Sequence, residues 1–341
     1  MKIFITGVAG FLGSHVADRM IELGHTVHGC DNLIGGFKSN INPLVHFNEA
    51  DCCDQDLMRF LIDGCDVVIH CAATAHEGLS VFSPSFITKN IYEASISTIS
   101  ASIAAGVKRF VFCSSMARYG SQGIPRDSGV KIEFKEHMKP MPVDPYGIAK
   151  VAVEQTLKTL CDVHGMEWNI AVPHNIIGPR QRFDDPYRNV LSIMANRNLQ
   201  GKPSYIYGDG EQQRCFSYVG DCVNCLEKMI LDPDIKYEII NIGPDENPIT
   251  IKEAAKLVAR ECGFQEEPIY VEDRPQEVKS ATCSSDKARK LLNYETTTTL
   301  EEAIKQTVNH IRNIGPRPFD YSLGLEIQNE KTPKTWLEKL L

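Results

Sequence analysis

KIFITGVAGFLGSHVADRMIELG, residues 2–24, is the stretch on which the fold turns. The run 2–7 is apolar and β-branched, and helical spacing follows from Gly13 to Gly24. Gly7, Gly10 and Gly13 lie between them in G-x-x-G-x-x-G spacing. Gly7 permits a tight turn, Gly10 lets a pyrophosphate approach the backbone, and Gly13 lets helix and strand pack closely. The helix N-terminus then offers free N–H groups to phosphate. Asp31 ends the next apolar run, HTVHGCD, where a carboxylate can bond a ribose 2′-hydroxyl and repel a 2′-phosphate. The pattern therefore predicts a dinucleotide site with NAD preferred to NADP. Lys38 is the nearby cation that weighs the other way.

Outward from this turn, β-rich runs and helical segments keep alternating. VHFNEAD (45–51), DVVIHCAA (66–73) and KRFVFCSS (108–115) read as strands, and DLMRFLIDG (56–64) and 89–106 as helices. A helix over 146–164 leads into a sixth strand in MEWNIAVPHNIIGP. Alternation of this kind predicts an α/β fold with a doubly wound parallel sheet of Rossmann type. After about residue 180 glycine, proline and aromatics rise, and helices return at 221–232, 251–262 and 285–292. We expect a nucleotide-binding domain over 1–173, a smaller interleaved C-terminal lobe over 174–315, and a polar, proline-marked tail over 316–341.

Composition narrows the function classes. The chain has 341 residues, 43% hydrophobic and 23% charged, with a net charge of −8. An acidic balance disfavours nucleic acid as a partner, while a small phosphorylated ligand can still be held by local amides and arginines. No apolar run reaches the length of a membrane span, and the N-terminus lacks the features of a signal peptide. Twelve scattered cysteines fit reduced thiols in a cytoplasmic protein. Cys222 and Cys225 have C-x-x-C spacing with Cys215 nearby, but no second pair and no paired histidine completes a ligand set. Helical periodicity makes them core residues, and no metal is expected.

YGIAK places Tyr146 and Lys150 at i and i+4, on one face of a helix. A phenol titrates near pH 10 and is a poor base at neutrality. A neighbouring ammonium and a nicotinamide cation are expected to lower it into use. With the glycine turn, CDNL, DVVIHCAA, Asn90, SSMARYG, HNIIGPRQ, YGDGEQQRCFSYV and RPQEV, the chain resembles the extended short-chain dehydrogenase/reductase family, in its nucleotide-sugar epimerase and dehydratase branch. The resemblance spans roughly residues 1–310.

It implies retained NAD, contacted by Gly7, Gly10, Phe11, Leu12, Gly13, Asp31, Asn32, Lys38, Asp51, Cys52, Ala72, Ala73, Asn90, Tyr146 and Lys150. It implies a UDP-sugar substrate as partner, a homodimer, and a catalytic set of Ser115, Tyr146 and Lys150. Ser115 would hydrogen-bond the sugar O4 and relay its proton to Tyr146. Substrate contacts fall on Ser115, Met116, Ala117, Tyr146, Asn175, Tyr205, Tyr207, Arg214 and Arg274, with Ala281 as a gate near the C2 substituent. Related dehydratases carry an acid–base pair, and decarboxylases a glutamate, where this chain has Met116 and Ala117. Oxidation and re-reduction are thus supported and elimination is not, which favours 4-epimerisation over the dehydratase or decarboxylase alternative. A non-catalytic NAD-binding module would have no use for the intact triad. Arg118 departs from the usual apolar residue, and an extended backbone would turn it away from Ala117.

Overall fold

The computed structural model describes residues 1–125, 130, 132–245, 247–274 and 279–341, with the side chains of Ser280 and Ala281 excluded. Seven strands form the main sheet: β1 (Lys2–Thr6), β2 (Thr26–Asp31), β3 (His46–Glu49), β4 (Val67–His70), β5 (Arg109–Cys113), β6 (Glu167–Pro173) and β7 (Glu238–Ile242). Their order is β7-β6-β5-β4-β1-β2-β3, with every neighbouring pair parallel. The order reverses between β1 and β4, and a crevice opens there at the strands' C-terminal ends, where ligands of such sheets bind.

Six of these strands match the sequence pattern. β7 was not singled out, because its hydrophobic run EIINI lies among glycines and prolines of the second half. It extends the sheet beside β6, pairing Ile240 with Ala171, and Arg109 secures this edge through Glu167 (2.8 Å) and the Asp232 carbonyl (2.6 Å). Segment 174–315 therefore returns part of itself to the large sheet, as interleaved lobes do.

Apolar side chains cover both sheet faces. Phe4, Val68, Phe110, Phe112 and Ile170 pack one core, and Ile3, Ile5, Ile69, Val111 and Ile240 pack the other. Cys222 and Cys225 are buried in the second core on the helix Val219–Leu231, as helical spacing predicts. All twelve cysteines are free thiols. The smaller lobe has its own core, with Leu191, Met194, Ile206, Ile251, Val258, Ile304 and Val308. Its four-stranded sheet joins Ile249–Thr250, Gln213–Arg214, Ser280–Cys283 and Glu133–Phe134. No helix among the described residues is long and apolar enough to cross a membrane.

The expected helix 89–106 starts earlier and is not uniform. Helical turns run from Pro84 to Ala104, with a π-turn over Lys89–Glu93. Such turns reposition side chains at functional sites, and this one holds Asn90.

Candidate active site

The helix α1 (Phe11–Glu22) is capped by Gly10 and begins two residues before the helical spacing suggested. Gly7 has φ +69°, and a Cβ there would lie 2.8 Å from the Ala72 backbone. A Cβ on Gly13 would collide with the Gly7 carbonyl. Without side chains the turn, β4 and α1 pack closely, and the three glycines line a cavity of about 320 Å³. Asp31 is 7% exposed at the end of β2. One of its oxygens accepts from the Ala9 N–H (3.0 Å) and the other from the Leu33 N–H (2.8 Å). Burial pushes its carboxyl above the usual range, while these amides pull it back.

Phe11, Leu12, Asn32, Asp51, Cys52, Ala72, Ala73 and Asn90 line the same cavity, with the three glycines, Asp31, Ser115, Tyr146 and Lys150. Lys38 does not line it. It is exposed and ion-paired with Glu49 at 2.7 Å, because the turn after Phe37 directs it to β3. The cation that weighed toward NADP is thereby committed elsewhere.

The other end of the cavity is built by a tight turn and a long helix. After β5, Ser115 caps a 3₁₀ turn, Met116–Arg118, its Oγ accepting from the Ala117 N–H (3.2 Å). The segment is therefore not extended, and alternation does not decide where Arg118 points. Arg118 is buried against Glu154, with Nε–Oε1 and Nη2–Oε2 both at 2.9 Å, and Ser114 Oγ donates to the same carboxylate. Ser114, Arg118 and Glu154 thus bolt the serine turn to the helix. Met116 and Ala117 pack against the core beneath the turn, and neither is among the described residues that line this cavity.

The helix α2 (Pro145–His164) starts on Asp144, whose Oδ1 accepts from the Gly147 N–H at 2.8 Å. Proline at N1 and Gly165 at φ +76° bound it. A Cβ on Gly147 would lie 2.7 Å from the Ala117 carbonyl, so glycine lets the helix reach the serine turn. Tyr146 is 6% exposed, with Ser115 close enough for its hydroxyl to favour the phenolate. Lys150 Nζ donates to the Cys113 carbonyl (2.7 Å) and stands 5.9 Å from the Tyr146 ring centroid.

The expectation of a lowered phenol fails for the protein alone. Burial pushes Tyr146 up to about 12, and the Ser115 hydroxyl and the Arg188 charge only partly oppose it. Burial also draws Lys150 down to about 8. Both shifts come from the same dry pocket, which disfavours charge of either sign.

A second cavity of about 290 Å³ adjoins the first, sharing Ala75, Glu77, Asn175, Arg188 and Asn189 with it. Tyr205, Tyr207, Arg214 and Arg274 line it, and the Arg274 guanidinium lies 4.7 Å from the Tyr207 ring centroid. Asn175, at φ 41°, donates to the Cys215 carbonyl (2.9 Å). Ala281 pairs with Arg214 in the small sheet, but its side chain lies outside the described residues, as do residues 275–278 of the RPQEV motif. Sequence reasoning missed Glu77 and Trp336 and left Arg188 without a place. Arg188 is a candidate partner for a uronate, but its polar loop gives no spacing that would place it, and neither Glu77 nor Trp336 stands in any recognisable spacing.

Residues 3–243 match the NAD dependent epimerase/dehydratase family. The chain belongs to that family. It is 33% identical to a UDP-glucose 4-epimerase of Thermotoga maritima solved with UDP-glucose, which covers 92% of this chain and is covered to 99%, with a TM-score of 0.84. A UDP-N-acetylglucosamine 4-epimerase of Methanobrevibacter ruminantium, solved with UDP-N-acetylmuramic acid, is 26% identical over 92% of this chain and 99% of its own, with a TM-score of 0.83. A Bacillus cereus UDP-glucuronic acid 4-epimerase variant, solved with NAD and a fluorinated substrate analogue, is also 26% identical. It covers 92% of this chain and 100% of its own, with a TM-score of 0.82.

Proposed function

We propose that this protein is an NAD-dependent UDP-sugar 4-epimerase. The observation that carries the reading is the placement of Ser115, Tyr146 and Lys150 along the glycine-floored cavity, next to a second cavity that holds Arg214 and Arg274. NAD bound in the first cavity supplies the acceptor and donor of a hydride at the sugar's C4. Asp31 would bind its adenosine ribose, and the amides around Gly10 its pyrophosphate.

The chain's own residues move the proton. Tyr146, beside Ser115, would take the O4 proton through Ser115 Oγ and return it by the same path once C4 is reduced again. Lys150 and a nicotinamide cation supply the positive charge that the phenolate needs, against the burial that holds the phenol near 12. Arg214 and Arg274 would grip the diphosphate, leaving the sugar free to turn between its two faces.

The reading extends to the sugar. A small residue at Ala281 leaves room for a 2-acetamido group. A uronate is the competing substrate; Arg118 is committed to Glu154, while Arg188 stands where the two cavities meet. Glu77 at that junction is the observation that favours elimination or decarboxylation instead. We further expect a homodimer in the cytoplasm, joined through α2 and the helical segment Pro84–Ala104.

The test is incubation with UDP-glucose, UDP-N-acetylglucosamine and UDP-glucuronate without added cofactor. A C4 epimer is expected, and denaturation should release NAD. An unsaturated, deoxy-keto or decarboxylated product would move the assignment to the alternative. A preparation that is empty and active only with NADPH would overturn it.

A further inference from the structure

We infer that the C-terminal segment 316–341 forms one wall of the substrate cavity, and that Trp336 contacts the nucleoside diphosphate part of the substrate. The inference rests on the epimerase reading and goes beyond it. The solved relatives described above are covered to 99–100% of their length, yet they cover only 92% of this chain. What goes unmatched therefore belongs to this chain, and it is comparable in length to 316–341.

Polar and proline-marked, this segment could have trailed into solvent. It is instead fastened at intervals. Asn196 and Arg317 exchange hydrogen bonds at 2.9 and 3.0 Å, and Asp320 pairs with Arg182 at 2.7 Å. Glu326 accepts from the Ser85 and Phe86 N–H groups (3.0 and 2.7 Å), and Arg197 donates to the Leu340 carbonyl (3.0 Å). Its one tryptophan, Trp336, is only 3% exposed. The indole meets Phe82 and Tyr187 edge-on, with centroids 5.8 and 5.1 Å apart.

Two observations turn this packing into a site. First, Pro333, Trp336 and Leu341 line the same cavity as Tyr205, Tyr207 and Arg274, and Thr335 Oγ1 lies 2.5 Å from the Tyr207 hydroxyl. A Cβ built on Gly78 would lie 3.4 Å from Arg274 Nη1 and 3.6 Å from the Trp336 ring, so cation and indole converge on one spot. Second, the buried Trp336 Nε1–H has no acceptor among the described residues. A buried indole donor ordinarily finds one, and a ligand oxygen is the acceptor that a cavity beside Arg274 would bring. An aromatic surface, a guanidinium and an unspent donor together suit a base and its diphosphate.

The experiment is UDP binding by calorimetry on the whole, NAD-loaded protein, with Trp336→Ala and Trp336→Phe, alongside steady-state turnover of the UDP-sugar. Trp336→Ala should raise Kd for UDP and KM by about tenfold or more, with kcat within about twofold and NAD content unchanged. Trp336→Phe keeps an aromatic ring while losing the donor and part of the indole surface, so a smaller, few-fold rise in Kd is expected even if the alanine variant folds poorly. UDP should quench the emission of Trp336 in the wild type, and Trp336→Phe should lose that quenching while Trp168 still emits. Wild-type UDP affinity in folded Trp336→Ala, or in Trp336→Phe where the alanine variant does not fold, would overturn the inference and leave the epimerase reading intact. A wild-type protein that binds no UDP would instead overturn the reading beneath it.

Discussion

Tyr146 and Lys150 share a pocket that suits neither of their charges, and under the proposed mechanism a nicotinamide cation would be the partner that resolves this. Removing the phenolic oxygen removes the proton acceptor while leaving the ring to pack. Tyr146→Phe is therefore expected to lose on the order of a hundredfold or more in kcat, with an unchanged melting temperature. Near-normal turnover would mean that another group is the base. Lys150 predicts a pH dependence of stability. Its ammonium is drawn down to about 8 from an ordinary 10.5. Between these values the unfolded chain holds the proton more firmly, so Lys150 makes stability rise with pH from about 8 to 10.5. Lys150→Met should flatten that rise in urea melts, and an unaltered slope would assign it to other groups. The pair itself was legible in the sequence, since i, i+4 spacing puts two side chains on one helical face. The direction of the phenol's shift was not, because burial is a property of everything packed around the helix.

At the scale of elements, the catalytic geometry depends on how the turn after β5 is held against α2. The buried Ser114, Arg118 and Glu154 cluster does this, and it explains a charge where the family pattern is apolar. A buried ion pair is costly to break from one side and cheap to replace whole. Glu154→Leu alone should therefore cost about 3–5 kcal/mol, measured by urea denaturation. The double variant Arg118→Met/Glu154→Leu should recover most of that loss. If the two changes simply add, the residues are not acting as a pair. Sequence reasoning had no access to this cluster, because Arg118 and Glu154 are 36 positions apart and a 3₁₀ turn, not a strand, joins Ser115 to Tyr119.

For the whole molecule, assembly is the open dimension. α2 carries Ile148 at 54% and Val163 at 71% exposure, apolar surface that a partner subunit would cover. We expect a dimer by light scattering at assay concentration, and a shift toward monomer in Ile148→Glu. A wild-type monomer would remove the claim. A dimer indifferent to Ile148→Glu would move the interface elsewhere. The lobes are interleaved, because β7 and the helix Val219–Leu231 return from the second half to the large sheet, so the two are expected to unfold together.

The amino-acid sequence by itself determined the parallel sheet, the glycine turn and its acidic partner, and it named the residues of the proposed proton relay. Each of these is written in local spacing: hydrophobic runs, glycines where a Cβ cannot stand, and side chains one helical turn apart. The tertiary structure alone decided where Lys38 places its charge, what Arg118 is for, and that Arg188, Glu77 and Trp336 reach the second cavity. Those outcomes depend on contacts between residues distant in the chain. Such contacts follow from the packing of whole elements, and no short pattern encodes them.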